Sequence, residues 1–298
     1  MNTVRTKTIL VTGASTGIGR ACAMRFSELG YRTFAGVRRG VDGEALVSDS
    51  AGRIEPVLLD VTQPESIDGA IDAVGEEPLA GLINNAGIAT LGPLELLSVD
   101  AWRQQFEVNV LGLVAVTQAC IPLLRRAKGR IVNIGSVAGR SALPGSGAYD
   151  ASKFAVEAIT DVLRMELHAW GISVAIIEAG AVATPIWNKS LRAADDLRRQ
   201  IAPKRYALYA DLMAVAREEA SQAANKALPV EAVVKAVVHA MTAHKPKTRY
   251  VLGRDAWFWL LLNLLPDRWR DRLILSKIHE KPHSPLHAQS TREDLCTR

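Results

Sequence analysis

"TILVTGASTGIGR", residues 8–20, is the stretch that decides the fold. A short apolar run, "TILVT" (8–12), passes straight into a glycine-rich turn, and "IGRACAMRFSELG" (18–30) follows it as a helix. Glycines at 13, 17 and 19 allow a tight turn, close approach of the backbone to a pyrophosphate, and close packing of the helix, whose N-terminus favours negative charge. A glycine-rich turn alone is a weak signal; the strand before it and the helix after it supply the context that gives it meaning.

Outward from that turn the chain repeats the same alternation. "RTFAGV" (32–37), "IEPVLLDV" (54–61), "GLINNA" (81–86), "RIVNIGS" (130–136), "ISVAIIEAG" (172–180) and "RYVLG" (249–253) read as buried strands with helical stretches between them. Such alternation predicts an α/β protein whose parallel sheet is covered by helices on both faces. No internal repeat or low-complexity linker interrupts residues 1–278, which read as one domain.

Composition narrows the classes. The chain has 298 residues, 48% hydrophobic and 22% charged, as expected of a globular protein with a sizeable core. The net charge of +5 is spread along the chain without aromatic-basic interleaving, which argues against nucleic-acid binding. Cys22, Cys120 and Cys296 are scattered and form no zinc or disulfide spacing, which fits a reducing cytoplasm. The start, "MNTVRTKTILVTGAS", reaches the glycine turn by residue 13 and leaves no room for a secretion signal.

At the end of the second strand, where an NAD enzyme usually carries an acid for the ribose hydroxyls, stand Val37, Arg38 and Arg39. An acid repels a 2′-phosphate and the guanidinium fork attracts one, so NADP(H) is expected ahead of NAD, with Arg38 as the main contact.

These motifs resemble the short-chain dehydrogenase/reductase family over residues 7–253. The matches are "TGASTGIG" (12–19), "DV" (60–61), "NNAG" (84–87), Asn109 in "VNVLG", Ser136 in "NIGS", and Tyr149 with Lys153 in "YDASK". The resemblance implies a doubly wound Rossmann fold, a seven-stranded parallel sheet of order 3-2-1-4-5-6-7 with a helical substrate lid. It also implies that Gly13, Ser15, Thr16, Gly17, Ile18 and Gly19 hold the dinucleotide's phosphates. Asp60 and Val61 would hold the adenine, the backbone of Asn85, Ala86 and Gly87 would line the adenosine side, and Val182 and Thr184 would address the nicotinamide carboxamide. Asn109, Ser136, Tyr149 and Lys153 would form the catalytic set. The family usually has Pro-Gly after the sixth strand; here Ala179 precedes Gly180, which removes a φ restraint from that turn.

The chemistry of that set follows from elementary electrostatics. Tyr149 and Lys153 are one helical turn apart on one face. A free tyrosine titrates near pH 10, so exchanging a proton near neutrality requires its phenolate to be favoured by about 4 kcal/mol. The Lys153 ammonium is the nearest source of that stabilisation, with oxidised nicotinamide adding to it. Ser136 would donate to the carbonyl oxygen as charge builds there, and Asn109, read as part of the fourth helix, would keep a water against Lys153. No metal is required.

Substrate choice is expected from residues 185–228 and the C-terminal part, with Trp187, Tyr206, Tyr209, Leu212 and Met213 as candidates to line an apolar pocket. The extension 255–278 carries Trp257, Phe258, Trp259 and Trp269 beside arginines. It could roof the substrate site, form a subunit contact, or make a peripheral membrane contact through 256–275. It is similar to the extension of the retinol- and 17β-hydroxysteroid-dehydrogenase-like branch, which implies a bulky hydrophobic alcohol or ketone. By the same analogy a homo-oligomer would form through residues 101–126 and the helix carrying Tyr149. His279, His283 and His287 recur every four residues, but Pro282 and Pro285 break a helix there, and 279–298 reads as a disordered tail. Two other classes share the fold: a catalytically silent dinucleotide-binding sensor, which typically loses the tyrosine or lysine, and a nucleotide-sugar epimerase or dehydratase, which expects a different glycine spacing.

Overall fold

The computed structural model describes residues 7–279; apart from His279, which closes the last helix, the stretch read as a tail lies outside the described residues, with His283, His287 and Cys296. Seven strands form a sheet: β1 (Thr8–Val11), β2 (Arg32–Val37), β3 (Ile54–Leu58), β4 (Leu79–Asn84), β5 (Arg130–Ile134), β6 (Ser173–Ala179) and β7 (Arg249–Leu252). Their order is β3-β2-β1-β4-β5-β6-β7, and every neighbouring pair is parallel, as the sequence predicts.

The apolar runs form strands because both faces of the sheet are buried. Ile9 and Val11 of β1 face one cluster, which is completed by α1 (Gly17–Glu28), with Cys22 and Phe26, and by α10 (Val230–Thr242), with Val233 and Val237. Leu10 faces the other, with α3 (Pro64–Val74) and α5 (Gly112–Ala127), through Ile67, Val116 and Leu124. The ladder has no use for a donor at Pro56, which is tolerated because β3 is an edge strand.

Strand order reverses between β1 and β4, which opens a crevice beyond the carboxyl ends of the strands. Several expected strands end short of their predicted limits: Leu59–Val61, Asn85–Ala86, Gly135–Ser136 and Gly180 turn out of the sheet at this edge. These are the residues that line the crevice. α2 (Gly40–Asp49) follows β2, and α6 (Gly147–Glu166) follows β5. α4 (Val99–Phe106) runs into α5 through one wider π turn, Glu107–Leu111, which carries Asn109.

After β6 the chain departs through α7 (Ile186–Gln200), α8 (Pro203–Ala207) and α9 (Ala210–Asn225). It returns where it left: Leu228 N donates to Ala181 O at 2.8 Å, and Ala183 N donates to Leu228 O at 2.9 Å. α11 (Arg254–Leu262) and α12 (Asp267–His279) end the described chain.

Candidate active site

The turn after β1 is shaped by its glycines. Gly13 and Gly17 have φ of +62° and +59°, a region in which a side chain is strained. At Gly19 an added Cβ would lie 2.4 Å from Gly13 O and 2.3 Å from Asn85 Nδ2, so the cradle closes only on a residue without one. Asn85 braces it, donating through Nδ2 to Thr12 O and Gly13 O at 3.0 Å each. Thr12 Oγ1 in turn accepts from Asn85 N and Ala86 N. α1 opens with no acid in its first turn and no side-chain cap from Thr16. Its N-terminal N–H groups therefore suit a phosphate, flanked by half-buried Ser15 and Ile18.

On the side expected to hold the adenosine, a cavity of about 420 Å³ is lined by Arg38, Asp60, Thr62, Gln63, Gln104, Glu107 and Val108. The structure separates the two arginines. Arg39 is held by Asp42 in a two-pronged pair at 2.7 and 2.9 Å, whereas Arg38 is exposed and makes no hydrogen bond or ion pair among the described residues. Asp60 accepts from Thr62 N and Oγ1 at 3.0 and 2.8 Å through one oxygen, which shapes the turn out of β3. The Val61 side chain is buried against Gly112, so what it can offer the cavity is backbone.

The four residues of the predicted catalytic set gather on the other side. Ser136 leads a short 3₁₀ turn, Val137–Gly139, beyond β5, and its Oγ accepts from Ala138 N at 3.1 Å and donates to Ala179 O at 3.4 Å. Tyr149 and Lys153 stand on α6, with the Lys153 ammonium 5.8 Å from the centre of the Tyr149 ring. Lys153 is buried and donates to Ile134 O at 2.8 Å.

Burial pushes the Tyr149 phenol up to about 12, against the downward pull of a hydrogen bond with Ser136, and Asp150 adds to the rise. Burial pushes Lys153 down to about 8. In the protein alone, desolvation of the phenolate thus outweighs the lowering expected at Tyr149.

Asn109 sits in the π turn, a feature frequent at functional sites. Its Oδ1 accepts from Ile88 N at 2.9 Å, and its Nδ2 donates to Ile88 O and Ser152 Oγ at 3.0 and 3.1 Å. Ser152 donates to Tyr149 O at 2.7 Å, so Asn109 reaches the Tyr149 backbone through one hydroxyl. Gln105 holds the same loop through Thr90 N and Ile88 O at 2.7 and 2.9 Å. Sequence reasoning missed Gln105, since nothing in the sequence marks which polar residue of an amphipathic helix is the buried one. It also missed the buried chain Asn84–Asn133–Thr160, linked at 2.9 and 2.8 Å, which ties β4, β5 and α6 beneath the site.

Thr184 lies beside the glycine turn, where a Cβ on Gly17 would be 3.3 Å from Thr184 Cβ, and the Val182 side chain is buried in the core. The absent proline before Gly180 is replaced by a restraint from far along the chain, since Asp255 Oδ2 accepts from Ala181 N at 2.8 Å. In the lid, Trp187 Nε1 donates to Val182 O at 2.9 Å, and the Tyr209 hydroxyl donates to Glu95 Oε2 at 2.7 Å. Arg198 stacks over Tyr206 at 5.2 Å. Tyr209 thus ties the lid to the rim, Tyr206 ties α8 to α7 within it, and Leu212 and Met213 are half-buried.

A doubly wound sheet, a glycine turn suited to a phosphate at its switch point, and a tyrosine–lysine–serine group beyond the carboxyl end of β5 define a nicotinamide-dinucleotide oxidoreductase. The short chain dehydrogenase family profile matches residues 7–195, and the chain belongs to the short-chain dehydrogenase/reductase family of alcohol–carbonyl oxidoreductases. It is 37% identical to bovine (Bos taurus) dehydrogenase/reductase SDR family member 9 over 91% of this chain and 88% of that one. It is 36% identical to rat (Rattus norvegicus) retinol dehydrogenase 7 over 90% and 87%. A short-chain dehydrogenase from Burkholderia cenocepacia, solved with NADP, superposes with a TM-score of 0.68 at 26% identity, covering 91% of this chain and 97% of that one.

Proposed function

We propose that the protein is an NADP(H)-dependent oxidoreductase that interconverts a bulky hydrophobic alcohol, steroid-, retinoid- or long-chain-like, with its ketone or aldehyde. The observation that carries this reading is Arg38, an exposed guanidinium without a hydrogen bond or ion pair among the described residues, in the cavity that it lines with Asp60 and Thr62. Gly13, Ser15, Thr16, Gly17, Ile18 and Gly19 hold the phosphates, Arg38 the 2′-phosphate, and Asp60, Val61 and Asn85 to Gly87 the adenosine. Val182 and Thr184 hold the nicotinamide, which supplies or takes up the hydride.

In reduction Tyr149 gives its phenolic proton to the carbonyl oxygen, and Ser136 donates a hydrogen bond to the same oxygen as charge grows on it. Lys153 stabilises the phenolate left behind, and Asn109 keeps a water on its path to solvent. A phenol pushed up to about 12 is protonated at neutral pH, so reduction starts from the competent form, whereas oxidation gains as pH rises. We expect a cytoplasmic protein; exposed Trp257, Phe258 and Leu261 on α11, Leu264 in the following turn and Trp269 on α12 support a peripheral membrane contact. Exposed Leu111 of the π turn that leads into α5, and Phe154, Val162 and Met165 of α6, support a homo-oligomer through these two elements.

The test is a spectrophotometric comparison of NADPH and NADH on steroidal, retinoid, long-chain and short hydroxy-acid or keto-acid substrates, in wild type and Arg38→Asp. Expected is turnover of the bulky members with NADPH, and a loss in Arg38→Asp about tenfold or more greater for NADPH than for NADH. Equal losses refute the 2′-phosphate contact, and turnover confined to short acids refutes the substrate class.

A further inference from the structure

One turn beyond Lys153 on α6, Glu157 is as deeply buried as the lysine, at 8% and 9% exposed. A buried carboxylate needs a compensating charge. Glu157 finds it in Arg249 of β7, whose Nη1 pairs with Oε2, while its Oε1 has no hydrogen-bond partner. Arg249 is shared: it also holds Glu178 of β6 and Asp161 of α6 at 2.7 Å each. Arg140, just past the 3₁₀ turn, reaches Glu178 at 3.2 Å, and Arg164 pairs with Asp161 at 2.5 Å.

This cluster abuts both parts of the catalytic group. A Cβ on Gly139, at the end of the Ser136 turn, would lie 2.8 Å from Lys153 O and 3.0 Å from Glu157 Cγ. Glu178 directly precedes Ala179, whose carbonyl accepts from Ser136.

We propose that Glu157 is a positioning residue for the reduction: its carboxylate keeps the buried Lys153 ammonium protonated through the working pH range, while Arg249 holds that carboxylate in place. This rests on the reading of Tyr149 and Lys153 as acid and cation. Electrostatics agree in sign. Burial brings Lys153 down to about 8 and Glu157 holds it up, while burial raises Glu157 to about 7 in spite of Arg249. Glu157 is therefore charged in the range where Lys153 begins to lose its proton. Removing that charge lowers Lys153 further, so the alkaline loss of reductase activity moves to lower pH. The other charges around Glu157, namely Glu178, Asp161, Arg249, Arg140 and Arg164, stay in place.

The experiment is the pH profile of kcat/KM for NADPH-dependent reduction in wild type, Glu157→Gln and Asp161→Asn. Expected is an alkaline limb lower by roughly half a pH unit or more in Glu157→Gln. Asp161→Asn removes a carboxylate from the same arginine and should leave the limb in place. A limb unmoved in Glu157→Gln, or moved equally by both variants, overturns the proposal. A second readout needs neither turnover nor a substitution at 157: the ¹³Cε resonance of Lys153 in labelled wild-type protein, assigned by its loss in Lys153→Met. It should show, besides its own titration, a second inflection at lower pH as Glu157 gains a proton. The absence of that inflection overturns the proposal, whereas its presence in a protein that reduces no carbonyl would sink the catalytic reading and leave the Glu157–Lys153 coupling standing.

Discussion

Around β1 the crevice is held by neutral groups, and around β6 by charged ones. Thr12, Asn85 and the glycine turn are joined by amide and hydroxyl hydrogen bonds at 3.0 Å, each ending on or starting from backbone. The far side depends on Asp255 at Ala181 N, on Glu157, Glu178 and Asp161 around Arg249, and on a lysine buried beside a tyrosine. Neutral bonds fix a shape at any pH. Charged ones fix both a shape and a protonation state, which suits the half where a proton must move. The two halves should thus fail separately.

The sharpest separation is expected from Tyr149→Phe. Removing the hydroxyl deletes the proposed proton donor and leaves the ring, so kcat should fall by about 10³-fold or more while dinucleotide affinity, measured by fluorescence titration, changes little. Retained turnover would remove Tyr149 as the acid; lost affinity would mean that the two halves are not separable.

Gly19→Ala breaks the neutral half instead. The new methyl meets Gly13 O and the Asn85 amide closer than any real Cβ contact, and one of these neighbours is backbone. The turn must therefore shift, weakening dinucleotide binding by about tenfold or more and costing roughly 1–3 kcal/mol in stability. Urea unfolding and the same titration measure both. Unchanged binding would show that the cradle does not depend on the closeness of that packing.

What was legible in the sequence divides along the same line. The glycine turn, the strands and the tyrosine–lysine pair are local patterns, fixed by backbone geometry and a period of two or 3.6 residues, whereas the strand order came from the family resemblance. The strand ends were overrun by one to three residues because the apolar pattern continues past the last ladder bond into the crevice wall, as at Leu59–Val61. Asp255, Asn263 and Arg249 were not legible as parts of the site. Asp255 reads as an ordinary first-turn acid of a helix, and nothing local shows that it meets Ala181, 74 residues earlier. Burial likewise stayed hidden: the spacing of Tyr149 and Lys153 gives a cation near a phenol, but only the packed structure shows desolvation raising that phenol to about 12.

The smallest effect tests whether this distant restraint reaches the chemistry. Where relatives usually place proline, the loop beyond β6 has Ala179 and Gly180, and Asp255 takes over by accepting from Ala181 N at 2.8 Å while its carboxylate fills the space over Gly180, where a Cβ would lie 2.1 Å from Oδ2. The same helix grips the Ser136 side, since Asn263 Nδ2 donates to Arg140 O and Ser141 Oγ donates to Asn263 Oδ1 at 3.3 Å. Asp255→Ala removes one acceptor at an exposed position, a loss of about 1 kcal/mol or less, which lowers Tm by up to about 2–4 °C in a chain of this size. Because the freed segment carries Val182 and Thr184, KM for the dinucleotide should rise a few-fold with kcat nearly unchanged. Replacing Ala179 by proline in that variant should recover part of the affinity by restoring a φ restraint. Recovery of Tm without recovery of KM would mean that Asp255 supports the fold there without positioning the crevice.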